Sequence, residues 1–218
     1  MPVVVIASPK GGAGKSTTSV LLGTELALAG ANVQLLDCDP NGSLSLWASR
    51  APLPNRVSLV TDVTESSVVK TIKALDQDGQ IVIVDLEGVA SRLVSRAISQ
   101  ADLVITPMRA TVLDATIGAR AIELIAEEEE ALSRKIRHAV VFTATKHVRS
   151  LQHRGIEASF LEQGVDVIKP DLMERSAYSA LFEFGGDLTT LPPQGNMEAA
   201  RNNAAQFAQE VYKRLIEG

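Results

Sequence analysis

The segment SPKGGAGKST, residues 8–17, constrains the fold of this chain more than any other. Its end matches the phosphate-loop pattern G-x-x-x-x-G-K-(S/T), while Pro9 stands where the first glycine of that pattern is expected. A short apolar run rich in β-branched valine, residues 2–8, precedes the loop and predicts a buried strand. Apolar residues at helical spacing follow over 15–29 and predict a helix. Strand, glycine-rich turn and helix in this order predict a phosphate-binding loop.

The chemistry of this loop suits a bound polyphosphate. Its glycines let the backbone approach the ligand, and the N-terminus of the following helix adds partial positive charge at the same place. Lys15 is expected to reach the β- and γ-phosphates, and the Ser16 hydroxyl is expected to bind Mg²⁺. The predicted binding residues of the loop are Gly11, Gly12, Ala13, Gly14, Lys15, Ser16 and Thr17.

Strand and helix patterns alternate along the chain, as in a mostly parallel sheet with helices on both faces. Strands are predicted at 2–8, 31–39, 56–60, 80–87, 101–108, 138–145 and 165–170. Helices are predicted at 15–29, 43–49, 64–76, 90–99, 112–130, 149–163, 171–183 and 196–216. We therefore expect an α/β fold of three layers, with a twisted sheet of about seven or eight strands, and a single domain over residues 1–218.

Composition excludes several other classes of protein. With 45% hydrophobic and 22% charged residues in a chain of 218, the protein is expected to be globular. The single cysteine, Cys38, excludes an internal disulfide and a C-x-x-C site, and its two aspartate neighbours disfavour a thiolate. The net charge of −5 argues against a strongly basic nucleic-acid-binding protein but leaves a local basic patch open. With no apolar run long enough to span a membrane and no signal-peptide pattern at the start, we expect a cytoplasmic protein.

Two further segments place carboxylates after predicted strands. DCDPNGS, residues 37–43, follows the second strand, and IVIVDLEG, residues 81–88, delivers Asp85 from a buried strand in the manner of a Walker B motif. An ordinary Asp-Pro turn or strand end would look the same in isolation. Their order after the phosphate loop favours a magnesium site instead.

The loop KGGAGKST resembles the deviant Walker A loop, K-G-G-x-G-K-(S/T), of the ParA/MinD partition and positioning ATPases, a branch of the P-loop NTPases. In that family the early lysine reaches the nucleotide of a dimer partner, so the resemblance implies that Lys10 acts in trans beside Lys15. DCDPN is similar to the family's D-x-D-P-Q, which makes Asp39 the residue that positions the attacking water. Asn41 departs from the family's glutamine. The implied metal ligands are Ser16, Asp39 and Asp85.

The resemblance also implies roles for later residues. Thr106, Pro107 and Asp114 are candidates for the dimer face. The adenine pocket is expected near Thr143–Lys146 and 170–173, with Pro170 and Met173 as contacts. The candidates for DNA contact are Lys146, Arg149, Arg154, Lys169 and Arg175, although ordinary surface charge explains them equally well.

The function implied is that of an ATPase that uses ATP and Mg²⁺, forms a homodimer with ATP and binds DNA non-specifically. It would partition or position DNA or protein cargo, associate with the nucleoid, and depend on a ParB-like activating or adaptor protein, because no arginine finger in cis is evident. Two alternatives remain: a MinD-like membrane-associated positioning ATPase, and an ATP-dependent small-molecule synthetase or kinase. The C-terminal segment 204–218 has few bulky apolar residues, so no stable membrane binding is expected.

Overall fold

The computed structural model describes residues 2–75, 79–88 and 91–217. The strands are β1 (Val3–Ile6), β2 (Asn32–Cys38), β3 (Val57–Val60), β4 (Gln80–Leu86), β5 (Leu103–Arg109), β6 (His138–Thr145), β7 (Asp166–Val167) and β8 (Leu172–Met173). The helices are α1 (Lys15–Leu28), α2 (Ser43–Arg50), α3 (Val68–Ala74), α4 (Arg92–Ile98), α5 (Val112–Leu132), α6 (Leu151–Glu162), α7 (Ser176–Phe184) and α8 (Met197–Ile216).

The strands form one parallel sheet in the order β3-β2-β4-β1-β5-β6-β7, with β8 also pairing with β6. Strand β1 lies at its centre, between β4 and β5. The register pairs Ile6 of β1 and Asp37 of β2 with Asp85 of β4. The ends of these three strands therefore meet at one edge of the sheet, directly beside the loop that follows β1.

Helices cover both faces of the sheet, which confirms the predicted three-layer α/β fold. Alternate residues of β1 show the division, since successive side chains of a strand point to opposite faces. Val4 and Ile6 belong to the core under α1, α2, α7 and α8, and Val3 and Val5 belong to the core under α3, α4 and α5. A smaller core around Phe142 and Phe160 lies beneath α6.

The segment after α6 differs from the prediction. A strand was expected at 165–170 and a helix at 171–183, but the structure has two strands of two residues each, β7 and β8, and α7 begins only at Ser176. Pro170 lies between the two strands and carries no N–H group for a strand ladder, so it interrupts what would otherwise be one longer strand. The helix prediction was wrong for residues 171–175.

Two helix predictions extend into residues outside the described part of the chain, namely Asp76 of 64–76 and Ala90 of 90–99. Helix α3 begins later than predicted, because Thr64 and Ser67 form a local turn in which Ser67 Oγ accepts from Thr64 N at 2.9 Å. Met1 and Gly218, the ends of the predicted domain, also lie outside the described residues. Among the helices that the structure describes, none is both long and apolar enough to span a membrane.

Candidate nucleotide-binding site

The loop between β1 and α1 has the conformation that its glycines permit. Gly12 and Gly14 have φ angles of 72° and 92°, where other residues would be strained. Thr143 of β6 donates from Oγ1 to the Ala13 carbonyl at 2.7 Å, and Thr18 donates from Oγ1 to the Gly14 carbonyl at 2.8 Å. The loop is thus held in a fixed shape from both sides at the N-terminus of α1, where the helix dipole favours an anion.

Lys15 is buried at the base of the loop, with 7% of its surface exposed. Its Nζ lies next to Gly88, where a Cβ atom would be 3.4 Å from Lys15 Nζ and 3.4 Å from the Gly11 nitrogen. The segment after Asp85 therefore packs directly against the phosphate loop. A larger side chain at position 88 would have to displace either the lysine or the loop backbone.

Two buried carboxylates face one another beneath the loop, Asp85 at the end of β4 and Asp37 at the end of β2. Ser19 Oγ donates to Asp85 Oδ1 at 3.2 Å, and the backbone N and Oγ of Ser45 donate to Asp37 Oδ2 at 2.9 and 2.6 Å. Their other oxygens, Asp85 Oδ2 and Asp37 Oδ1, are buried without a hydrogen-bond partner among the described residues. Burial raises the pKa of Asp85 to about 7, while hydrogen bonds from Ser16 and Ser19 oppose the shift.

These orphaned oxygens fit a magnesium ion that also binds a phosphate. In the part of the chain that the structure describes, no group of three or more His, Cys, Asp or Glu could hold a metal with protein ligands alone. Mg²⁺ commonly uses one or two carboxylates together with substrate phosphates and water. Asp85 and Ser16, both predicted as ligands, lie together here, and Asp37 joins them.

Asp39, the third predicted ligand, lies in the turn after β2. Its Oδ1 accepts from the backbone N of Asn41 at 2.9 Å and from Asn41 Nδ2 at 2.8 Å. The asparagine that departs from the family pattern thus fixes the orientation of this carboxylate. Between the two aspartates, burial raises the pKa of the Cys38 thiol to about 12, so the cysteine stays protonated and packs in the core, as its neighbours in sequence indicated.

Lys10 lies at the rim of the loop and pairs with Asp114 of α5 in the same chain. Its Nζ is 2.8 Å from Asp114 Oδ1 and 2.9 Å from Oδ2, and the Thr111 hydroxyl also donates to this carboxylate. Burial alone would raise the pKa of Asp114, but the hydrogen bonds from Lys10 and Thr111 hold it below its ordinary value. Sequence reasoning placed Asp114 at a dimer face and did not connect it with Lys10, because 104 positions separate the two.

A cavity of about 220 Å³ opens beside the loop. Of the residues predicted near the adenine, Thr143, Ala144 and Met173 line this cavity, whereas Pro170 does not. The remaining lining residues are Gly12, Gly14, Thr17, Thr18, Arg109, Leu172, Glu174, Arg175, Tyr178 and Ser179. A larger cavity of about 1030 Å³ lies between the end of α1 and α8, and no residue of the phosphate loop lines it.

Two arginines that sequence reasoning did not place near the nucleotide line this smaller cavity. Arg109 ends β5 beside the loop, although no arginine in cis was evident from the sequence. Arg175 was predicted to contact DNA, but its Nη2 is 3.3 Å from Met173 Sδ and its Nε is buried without a described partner. Only the pairing of β5 and β8 with β6 brings both residues to the loop, and no local pattern indicates that pairing.

Of the other four candidates for DNA contact, two form ion pairs with carboxylates and two are exposed. Arg149 bridges Glu157 and Asp171 at 2.8 and 3.0 Å, and Lys169 bridges the same carboxylates at 2.7 and 3.1 Å. The two remaining candidates, Lys146 and Arg154, are exposed. The structure therefore does not bring all five predicted residues onto one free basic surface.

Comparison with known proteins agrees with the nucleotide-binding site that the geometry indicates. The CobQ/CobB/MinD/ParA nucleotide binding domain profile matches residues 4–188. A protein from Rhizobium radiobacter described as Protein ParA is 62% identical over 219 residues, which cover 100% of this chain and 99% of that protein. An ATP complex of a Cyanothece McdA variant has a TM-score of 0.77 at 18% identity, covering 100% of this chain and 96% of that one.

A further solved structure is a cobyrinic acid a,c-diamide synthase from Mycobacterium smegmatis with a bound ATP analogue and magnesium. Its TM-score is 0.74 at 16% identity, with coverage of 100% of this chain and 96% of that one. At such identities the two structural matches show a shared fold, which holds ATP in the first relative and an ATP analogue with magnesium in the second.

Proposed function

The chain belongs to the CobQ/CobB/MinD/ParA family of nucleotide-binding domains, among its ParA-like partition ATPases, and from this premise we propose that it hydrolyses ATP, dimerises around ATP and binds DNA non-specifically. In this proposal it partitions DNA or positions a protein cargo as a single domain. A ParB-like protein would couple it to that cargo and stimulate hydrolysis. The ATP-bound dimer would associate with the nucleoid.

The observation that carries the proposal is the position of Lys10. Lys15 already serves the phosphate site of its own chain, where it is buried, so a second lysine at the rim is surplus to binding one nucleotide. Lys10 is one-third exposed and is held by a single buried carboxylate, Asp114. When the triphosphate of a second copy approaches, its larger negative charge can compete for Lys10. Dimerisation would then depend on the γ-phosphate.

The residues beneath the loop would divide the chemistry of hydrolysis. Magnesium, when bound, would neutralise charge on the phosphates. Asp85, Asp37 and Ser16 would hold it, Lys15 would contact the β- and γ-phosphates, and Asp39 would orient the attacking water. Because Asn41 already fixes Asp39 Oδ1, this carboxylate is oriented before the nucleotide binds.

Exposed cations would supply DNA binding in the dimer. Lys146 and Arg154 offer about two phosphate contacts per subunit, which corresponds to a loss of about 1.1 decades in affinity between 50 and 200 mM salt. A dimer with four contacts would lose about 2.2 decades, but it would bind far more tightly at low salt. ATP could therefore switch DNA binding by controlling dimerisation.

The proposal is tested with the Asp39→Ala protein, which should bind ATP without turnover. We expect sedimentation to show a dimer with ATP and Mg²⁺ and a monomer with ADP, and only the dimer should bind DNA of unrelated sequences in a salt-sensitive manner. Adding Lys10→Ala should abolish both properties, whereas the matched change Lys70→Ala on exposed α3 should abolish neither.

Other outcomes would favour the alternatives. A dimer that ignores DNA but binds anionic vesicles would support a membrane-positioning ATPase. A monomer in saturating ATP would contradict the role of Lys10 in trans and would favour an enzyme that acts on a small molecule.

A further inference from the structure

One wall of the nucleotide cavity is built from a segment with little secondary structure of its own. We call residues 172–178 the pocket wall; it comprises β8 and the start of α7. Strand β8 has two residues, and its pairing with β6 is irregular, with Thr143 opposite Leu172 and Thr145 opposite Met173. Such a short, irregular ladder fixes the wall weakly. Other contacts must therefore hold the wall in place.

Asn203 of α8 makes three of these contacts from behind the wall. Its Oδ1 accepts from the Met173 backbone N at 3.0 Å and from Tyr178 Oη at 3.0 Å, and its Nδ2 donates to the Asp171 carbonyl at 2.8 Å. The side chain is buried, with 6% of its surface exposed. Met173 and Tyr178 both line the cavity. Asn203 thus joins both ends of the wall to the last helix without touching the cavity itself.

The three bonds require an amide at this position. An asparagine combines an oxygen that accepts two hydrogen bonds with a nitrogen that donates. Aspartate has the same shape but no donor for the Asp171 carbonyl, and leucine has neither donor nor acceptor. Because all the partners are buried or half-buried, each lost bond leaves a polar group without its partner.

Ion pairs hold Asp171, the residue that precedes the pocket wall. The Asp171 carboxylate pairs with Arg149 at 3.0 Å and with Lys169 at 3.1 Å, while its carbonyl is the group that Asn203 holds. The residue before the wall is therefore fixed from two directions. The Met173 backbone N is held to α8 by Asn203, whereas Tyr178 Oη donates both to Asn203 and to the Ala200 carbonyl of α8, each at 3.0 Å.

We propose that Asn203 is a positioning residue that sets the shape of the cavity for the base and ribose of the bound nucleotide. The inference rests on the proposed nucleotide site and adds a determinant of its selectivity. The phosphate loop is held separately, by Thr143 and Thr18, so the triphosphate end should not depend on Asn203. Loss of the amide should therefore weaken recognition of the base while it leaves phosphate binding intact.

Calorimetric titration of the full chain with ATP, GTP and inorganic triphosphate, each with Mg²⁺, tests this. For Asn203→Leu we expect the Kd for ATP to rise about tenfold, the preference for ATP over GTP to fall by about the same factor, and the Kd for triphosphate to change less than about twofold. Asn203→Asp keeps both acceptor bonds and should raise the Kd for ATP about threefold. Asn202→Leu, at the exposed neighbouring position, should change none of the three.

The inference is overturned if Asn203→Asp and Asn203→Leu bind ATP and GTP as the wild type does. It is also overturned if triphosphate weakens as much as ATP, because the residue would then support the whole site without selectivity. If Asn203→Leu does not fold, as judged by its circular dichroism melt, Asn203→Asp decides alone. Failure of the wild type to bind any nucleotide would instead refute the proposed function, and the inference with it.

Discussion

At the residue scale, the pairing of Lys10 with Asp114 is the contact on which the proposed response to nucleotide depends. A buried carboxylate without a partner is costly, so Asp114 needs a cation nearby. In the single chain that cation is Lys10. In the proposed dimer, a competing anion would have to displace Asp114 from Lys10, so the strength of this pair would set how much charge the anion must offer.

We predict that Asp114→Asn strengthens ATP-dependent dimerisation. The asparagine keeps hydrogen-bonding atoms near Thr111 but cannot form the ion pair, so Lys10 is released at lower cost. The dimer Kd of the Asp39→Ala protein with ATP should fall about three- to tenfold, measured by sedimentation. Because Asp114 lies in the first turn of α5, stability should drop by no more than about 1 kcal/mol.

Glu123→Gln, an exposed change on the same helix, serves as the control and should leave the dimer Kd unchanged. A weaker dimer in the Asp114→Asn protein would instead assign Asp114 a direct role at the interface.

Glu25 of α1 gives the fold a dependence on pH that is separate from the nucleotide site. Burial raises its pKa from 4.5 to about 7, with Asp187 adding to the shift and Arg201 opposing it. As the pH rises, the unfolded chain loses this proton first, so stability falls between about pH 4.5 and 7. We predict that Glu25→Gln is more stable than the wild type at pH 8 by about 1 kcal/mol, allowing for its partial exposure.

The measurement is urea unfolding of both proteins at pH 4.5 and pH 8. The two should have nearly equal free energies of unfolding at the lower pH and should diverge at the higher one. An equal gap at both values would show that packing, and not charge, distinguishes them.

At the scale of elements, the close approach of α2 and α7 fixes the segment that leads to α8. Helix α7 ends at Gly185, whose φ is 74°, and a Cβ there would lie 2.7 Å from the Ala51 nitrogen. Beside it, Trp47 of α2 donates from Nε1 to the Gly186 carbonyl at 3.0 Å. The two helices can meet in this way only because position 185 has no side chain.

Gly185→Ala should therefore lower the free energy of unfolding by at least about 2 kcal/mol, because the methyl group meets backbone and the φ angle is unfavourable. Gly155→Ala is the matched control: it lies within α6, and a Cβ there meets nothing within 4 Å. It should be neutral or stabilising by up to about 1 kcal/mol. Equal effects in urea unfolding would contradict the packing argument.

At the scale of the whole molecule, only some of the positive side chains are free to bind DNA phosphates. The chain is acidic overall, with a net charge of −5, and two of its predicted DNA-contacting residues are committed to an internal ion-pair network. Any attraction for phosphates must come from cations without carboxylate partners. In the described part of the chain, Lys146, Arg154 and Arg175 of the predicted set have no ion pair with a carboxylate. Arg175 lines the cavity beside the loop, which leaves the exposed Lys146 and Arg154.

The double variant Lys146→Ala/Arg154→Ala should lose the salt-sensitive DNA binding of the dimer, because it removes all four proposed phosphate contacts, which account for about 3.6 units of slope. ATP-dependent dimerisation should be unchanged. The change Lys70→Ala/Lys73→Ala, at two exposed positions of α3, removes equal charge elsewhere. If this second pair abolishes DNA binding and the first does not, the surface lies on the α3 side.

The sequence by itself determined the fold class and the phosphate loop, and it predicted one of the two carboxylates beneath that loop, Asp85. These features follow from local pattern: β-branched runs form buried strands, glycines permit the turn, and parallel strands with helices between them bring their ends to one edge. Lys15, Ser16 and Asp85 were predicted as site residues for that reason, and the family resemblance rested on the loop that begins at Lys10 and on the segment DCDPN.

Tertiary structure alone decided which distant residues meet. Residues far apart in the chain meet in three places. Lys10 pairs with Asp114, Arg109 and Arg175 line the same cavity, and Asn203 forms hydrogen bonds with Asp171, Met173 and Tyr178. The two-residue strand β8, predicted as helix, also owes its form to its neighbour β6. Contacts of this kind depend on strand order and on which helix covers which strand. The local spacing of residues predicts neither of these.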